Sequence, residues 1–389
     1  MIRNTYALID ENILRDNIKE IKSKYPDYKY YFGVVKNNAY HHGMHVVNAL
    51  IDGGINYLCV SSLEEALAIR KYNKDISILV LELINLDYIN LAIDNNITIT
   101  IDSLEYAKNI KINKKIKVHI AIDSGMNRIG INNKKELNDT YKLLISNKNI
   151  LLEGIYSHFA TSGVRDVYYD SQVNKFKDIT SDIDLNKIPI VHIGRSLSLV
   201  QHDKLDFCNG IRLGIIMYGF AQSSTIDNSL RGKLRIKKRE YLQKKYNISK
   251  TYLTNDLKLK TAFKLYTSVM SVRKVKINDV VGYNTYKVLE DGYILTLPIG
   301  YADGVTKDYK YVYINSKRYE IVSDCMDMIM VFSKDKIKIN TKVEIFGDNI
   351  SVRDVCNRLH INAYHLFNLI SDRVLRLHIY NDNEEEILY

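Results

Sequence analysis

Between residues 30 and 215, short apolar runs alternate with polar stretches of helical period, and this alternation constrains the chain more than any other feature. The runs are YYFGVV, YLCV, ISILVL, ITITID, IKVHIAID, LLEGIYS, IPIVHI and FCNGIRLG. Each is nearly continuous in apolar residues, as a parallel strand covered on both faces must be. Between most of them lie helical patterns. SLEEALAIRKY places Leu63, Ala66, Leu67 and Ile69 on one helical face, and SLEYAKNIK and KKELNDTYKLLISN behave alike. SLEE and SLEY each open with Ser and carry an acid in the first turn, a helix-start signal. Eight strands alternating with helices predict an α/β fold, an N-terminal (β/α)8 TIM-type barrel. A nucleotide-binding Rossmann sheet is the rival, and no GxGxxG follows the first strand.

After about residue 255 the period becomes two. FKLYTSVMSVRKVKI, YILTLPI, YVYIN, YEIVSD and TKVEIFG are punctuated by Gly, Asn and Asp. Short strands with regular turn signals predict a C-terminal all-β domain. The expected organisation is a barrel over 1–225, an inter-domain insertion over 226–254 and a β domain over 255–389. The first few residues are candidates to pair with the β domain.

No apolar run approaches the ~18 residues of a membrane span, and MIRNTYALIDENILRDN holds no signal-peptide core. Cys59, Cys208, Cys325 and Cys356 lie far apart with no CxxC pair. No integral membrane segment, disulfide framework or metal centre is expected, and the expected location is cytoplasmic. The chain carries 55 Lys+Arg against 45 Asp+Glu, a net charge of +10. Residues 231–250 alone hold nine basic residues and one acid, a net of +8, which leaves +2 for the remainder. The basic character is therefore local. No nucleic-acid motif accompanies it, and nucleic acid is not an expected partner. The segment reads as a solvated helix or loop, or as a docking segment for an anionic partner.

The strand ends carry the chemistry. Lys36 directly follows the first strand, at the rim where such barrels place their sites. Partial desolvation there favours the neutral amine that Schiff-base formation needs. Taken alone, a strand-end lysine is more often a snorkelling one. Other strand ends deliver Arg128, His158, His192, Arg195, Ser196, Arg212 and Gly214. The glycines and Ser196 suit a phosphate, because Gly lets backbone N–H groups approach an anion. A Schiff-base lysine and a phosphate cradle on one barrel point to pyridoxal 5'-phosphate, the electron sink for an amino acid's α-carbon.

The chain resembles the alanine racemases, fold type III pyridoxal-phosphate enzymes, from TYALIDENILRDNIKEIK to RVLRLHI. VVKNNAYHHG resembles the family's cofactor-lysine motif, and LPIGYADG and CMD resemble two signatures of its β domain. The resemblance implies two-base racemisation of L- and D-alanine, supplying peptidoglycan, by a homodimer with shared active sites. Serine or a broader set of amino acids is the alternative substrate, and a non-catalytic cofactor-binding homologue the alternative class. Lys36 would bond the cofactor and serve as base on one face; Tyr283, from the partner subunit, would be the base on the other. Tyr40, Ser196, Gly214, Ile215 and Tyr364 would hold the phosphate. His158 would lie near the cofactor ring and hydrogen-bond Tyr283. Arg212 would face the pyridine nitrogen with His192 behind it. Arg128 would contact the ring hydroxyl and the substrate carboxylate. Tyr301, Cys325, Met326 and Asp327 would line the entrance and substrate pocket from the partner chain.

The sequence departs from the family at several points. Ala121 stands where many members have a lysine, often carbamylated. Arg195 replaces an asparagine. Ser323 and Asp324 stand before CMD in place of an arginine, and the late VPR reads Val374–Leu375–Arg376. About 20 extra residues separate the domains. Losing an anion at Ala121 and gaining a cation at Arg195 predicts a more positive pocket, in which a chloride replaces the carbamate or Arg195 binds the phosphate and broadens the substrate range. Tyr364 is retained, which favours alanine over serine.

Overall fold

The structure, a computed structural model, describes residues 3–160, 167–221, 230–245, 256–283, 285–381 and 383–387. The chain divides into two compact units, one of Met1–Leu14, Asn38–Ala49 and Lys260–Tyr389, the other of Arg15–Asn37 and Leu50–Leu259. The strand β1 (Tyr6–Asp10) belongs to the first unit. Eight strands then make the second: β2 (Tyr30–Val34), β3 (Tyr57–Val60), β4 (Ile78–Val80), β5 (Ile97–Ile101), β6 (Ile116–Ile122), β7 (Ile150–Ser157), β8 (Ile190–Arg195) and β9 (Gly210–Leu213). They form a closed barrel in sequence order, with β2 pairing β9 in parallel. All eight coincide with the apolar runs. Burial on both faces makes those runs continuous, and β3, β4 and β5 are buried at every position.

The expected helix starts are seen as caps. The Ser62 hydroxyl accepts from the Glu65 N–H at 3.4 Å, and Ser103 accepts from Tyr106 N–H at 3.2 Å. Each satisfies one donor that a first helical turn leaves open. Leu63, Ala66 and Ile69 are buried beneath the first of these helices, whereas Leu67 lies at its margin.

Two irregularities interrupt the register of the barrel. Val118 pairs Leu152 but His119 pairs Gly154, so Glu153 is an extra residue on β7. His192 pairs Gly210 but Arg195 pairs Arg212, so β8 also gains one residue on β9. Bulges of this kind bend a strand and re-aim its side chains.

The first unit is sheet-rich, as expected. Its strands are β10 (Phe263–Ser268), β11 (Ser271–Val275), β12 (Val280–Val281), β13 (Tyr286–Lys287), β14 (Gly292–Leu297), β15 (Tyr311–Ile314), β16 (Lys317–Asp324), β17 (Ile329–Ser333), β18 (Lys342–Phe346), β19 (Leu375–Tyr380) and β20 (Asn383–Ile387). Ten strands share one sheet in the order β11-β14-β17-β16-β15-β18-β10-β1-β19-β20, and β12 pairs β13 alone. Strand β1 thus pairs antiparallel with β10 and parallel with β19. Two short helices, Val352–Leu359 and Ala363–Leu369, were not visible as period-two signals. Each begins at a polar cap, Ser351 and Asn362.

The basic segment is helical where it is described, over Leu230–Lys245. Residues 246–250 of that segment, and 222–229 and 246–255 at the flanks of the expected insertion, lie outside the described residues. Lys237, Lys238, Lys244 and Lys245 are exposed, as a solvated helix requires. No helix among the described residues is long and apolar enough to cross a membrane.

Two buried ionic groups tie the first unit together. Asp303, fully buried, accepts from Arg3 Nη1 at 2.8 Å and from the Gly300 N–H at 2.9 Å, which accounts for the Asp of IGYADG. Arg376, also fully buried, donates to the carbonyls of Ser371 at 2.7 Å, Val374 at 2.5 Å and Ile370 at 2.9 Å. Arg376→Leu leaves those carbonyls without a donor. Chemical denaturation is expected to show a loss of about 3 kcal/mol, the scale of a broken charge-assisted buried contact.

Candidate active site

The segment after β2 winds the wrong way. Asn37, Asn38, Ala39, Tyr40 and His41 all have φ between 51° and 60°, a left-handed turn immediately after Lys36. Left-handed helix costs about 1–2 kcal/mol per residue for L-amino acids, least for Asn. The sequence supplies Asn at the first two positions. His42 offsets the cost further on. Its ring is fully buried between Phe263 and Phe367, with centroids 5.1 and 4.9 Å away. Its Nδ1–H donates to the carbonyls of Ala39 at 3.0 Å and Tyr40 at 3.1 Å. Burial lowers the imidazole to about 3, so it stays neutral and keeps that donor. The turn brings the Tyr40 ring edge-on to Tyr364 at 5.3 Å, uniting two residues expected at the phosphate.

The barrel strands deliver a second group. Ser196 begins the helix Ser196–Gln201, and its hydroxyl accepts from the Gly214 N–H at 2.8 Å. Gly214 and Ile215 are buried and lead into a tight turn closed by Met217 N–H to Gly214 O at 3.0 Å. Arg212, 3% exposed, is the centre of the site. It donates to the carbonyls of Ser157 at 2.6 Å, Ile193 at 2.9 Å and His192 at 3.1 Å. It also meets His192 Nδ1 at 2.6 Å and His158 Nδ1 at 3.2 Å. A guanidinium only donates, so both Nδ1 atoms accept and each neutral ring carries its proton on Nε2. The Tyr156 ring lies 5.4 Å from the guanidinium carbon.

The electrostatics of the barrel residues are cationic. Burial, then Arg212, Arg195, Arg128 and Lys36, hold His158 well below the usual imidazole range. Burial, Arg212 and His119 do the same to His192. Arg195 is half-buried and its charge acts on both His158 and Arg212. Ala121, 2% exposed, contributes no anion. Four cations around one neutral imidazole suit a phosphate dianion and a carboxylate.

The remaining expected residues belong to the first unit. Tyr283 is 87% exposed, and Tyr301 and Met326 are exposed by about half, with Asp327 exposed beside them. The Tyr301 N–H donates to Cys325 O at 3.2 Å, and the Ala302 N–H to Met326 O at 3.0 Å, which joins the IGYADG and CMD motifs. Beyond a Cβ at Gly282 would lie the buried Ser323 side chain, so Ser323 sits beneath the turn that carries Tyr283.

His119, Glu153 and Tyr156 were missed. A His within KVHIAI and a Glu within LLEGIY are polar residues inside otherwise apolar buried runs, and that signal could have found them.

The buried histidines set an acid limit. Their folded pKa lies below the unfolded value of 6.5, so unfolding takes up protons as pH falls below 6.5. Stability is full above that pH and declines below it. His158→Gln is expected to reduce the slope of unfolding free energy against pH by about 1.4 kcal/mol per pH unit near pH 5, where the unfolded imidazole is almost fully protonated, measured by urea titration.

Comparison with known proteins supplies the family. Residues 9–222 match the family described as alanine racemase, N-terminal domain, and residues 262–378 match alanine racemase, C-terminal domain. An alanine racemase of Listeria innocua is 32% identical, covering 97% of this chain and 98% of its own. One of Streptococcus agalactiae is also 32% identical, covering 96% and 98%. The crystal structure of alanine racemase from Bacillus anthracis with bound L-Ala-P superposes with a TM-score of 0.84 at 30% identity, covering all of this chain and 98% of that one. With both halves matched in order, and relatives aligned nearly end to end, the chain belongs to the alanine racemase family.

Proposed function

We propose that the protein interconverts L- and D-alanine with pyridoxal 5'-phosphate, as a cytoplasmic homodimer that supplies D-alanine for peptidoglycan. The observation that carries this reading is the buried Arg212, flanked by two neutral histidines, on a barrel rim that also presents Lys36. The cationic surroundings of His158 fit the cofactor's phosphate and the substrate's carboxylate. When bound, the cofactor supplies an electron sink for the α-carbon.

The residues do the rest. Lys36 bonds the cofactor and moves the α-proton on one face. The partner subunit's Tyr283 does so on the other, which suits a tyrosine that is 87% exposed in a single chain. A phenol has a reference pKa near 10 and must be lowered to serve as a base near neutrality. His158 accepts from Arg212 at Nδ1, so its Nε2–H is free to donate to that phenolate. Arg212 would face the cofactor's ring nitrogen. A guanidinium has no proton acceptor and does not readily release a proton, so it would leave that nitrogen uncharged. A weaker sink limits side reactions such as transamination. Ser196, Gly214 and Ile215 would hold the phosphate. Arg128 holds the carboxylate, and Tyr301, Met326 and Asp327 of a second copy line the entrance.

Incubation with single L-amino acids and resolution of the products tests the substrate. D-alanine is the expected major product; D-serine in excess of it would move the assignment, and no D-amino acid at all would favour a non-catalytic homologue. Tyr283→Phe is expected to lower kcat about 10²–10⁴-fold, the range of a lost general base, with the cofactor's visible absorbance retained. Lys36→Ala is expected to abolish that absorbance.

A further inference from the structure

Arg212 does not end at His192. A row of buried polar side chains continues through the barrel. His192 Nε2 lies 3.1 Å from His119 Nδ1, and His119 Nε2 lies 3.2 Å from Glu153 Oε2. Both imidazoles are fully buried. The proton positions follow from the two ends. Arg212 donates to His192 Nδ1, so His192 carries its proton on Nε2 and donates to His119 Nδ1. His119 therefore carries its proton on Nε2 and donates to Glu153, whose carboxylate only accepts. A donor-only cation at one end and an acceptor-only anion at the other admit one direction for the whole row.

The barrel is built around this row. Glu153 is the extra residue of the β7 bulge. Gly154 next to it has no Cβ, and one placed there would meet the His119 ring at 2.5 Å. The His192 ring is stacked between Phe32 at 4.5 Å and Tyr156 at 5.0 Å. The Tyr57 hydroxyl donates to Glu153 at 2.6 Å, and Lys117 reaches its other oxygen at 3.0 Å. Burial works to raise the Glu153 carboxyl, but hydrogen bonds from His119, Tyr57 and Lys117 outweigh it and leave it at about 2. It is an anion under all working conditions.

We infer that Glu153 and His119 are positioning residues. Through the single permitted tautomer of His192 they hold the Arg212 guanidinium in the orientation that faces the cofactor's ring nitrogen. This rests on the role given to Arg212 above and adds the groups that make the role possible. With no acceptor for its Nε2–H, His192 is free to shift its proton to Nδ1. It would then present a hydrogen to a guanidinium that also presents one, and Arg212 would turn away.

Two measurements decide it. Imidazole nitrogen NMR of the full chain, labelled with ¹⁵N-histidine and free of cofactor, is expected to show His119 and His192 as neutral Nε2–H tautomers. Loss of the signals in His119→Phe and His192→Phe assigns them. An Nδ1–H tautomer or an imidazolium at either position overturns the inference. The second compares Glu153→Leu with Glu153→Gln, both checked for wild-type melting. The Leu variant is expected to raise the Kd for pyridoxal 5'-phosphate about tenfold, the scale of one lost charge-assisted hydrogen bond, and to alter the absorption spectrum of the bound cofactor. The Gln variant keeps an acceptor oxygen and is expected to restore both. A Leu variant with wild-type Kd and spectrum overturns the inference. Failure of the wild-type chain to bind the cofactor would instead refute the proposed function, and the tautomers would then decide the row alone.

Discussion

A guanidinium buried inside a barrel is the constraint around which the rest of this molecule is arranged. An arginine does not discharge by losing a proton, so burial must be met with acceptors. Arg212 finds three backbone carbonyls and two imidazole nitrogens. The carbonyls of His192 and Ile193 are available because β8 carries an extra residue against β9 there. The imidazoles can accept only while neutral, and burial together with Arg212 itself keeps them so. The same neutrality assigns every proton from Arg212 to Glu153.

Charge at the barrel's strand ends is one-sided. Arg195 adds a cation within reach of His158 and Arg212, and Ala121 brings no anion to offset it. The pocket is therefore left to be neutralised by what binds there. The remaining local cost is conformational. Five successive positive-φ residues follow Lys36, and they persist because the neutral ring of His42 ties the turn's carbonyls from a fully buried position.

Much of this was legible beforehand because it is periodic or local. The eight barrel strands were visible as apolar runs, since strands covered on both faces need no polar alternation. Ser62 and Ser103 marked helix starts, because a cap acts within three residues of itself. Lys36, Ser196 and Gly214 were read as following apolar strands, and they stand just past β2, β8 and β9. The two short helices of the first unit escaped, being too short to establish a helical period against flanking strands. The left-handed turn of KNNAYHHG depends on the distant Phe263 and Phe367 that seat His42, and no local pattern announced it.

Composition and order were thus enough for the barrel and the sheet-rich unit, because each follows from short-range periodicity. They were not enough for which hydrogen bond each group makes. Glu153 and His119 stand 34 residues apart and meet only because a bulge on β7 sets them side by side. Arg376 looked like the end of an altered motif and proved to be a buried donor for three carbonyls. Long-range pairing of buried polar groups depends on strand register. In a closed barrel that register is tied to strand tilt and stagger around the whole ring.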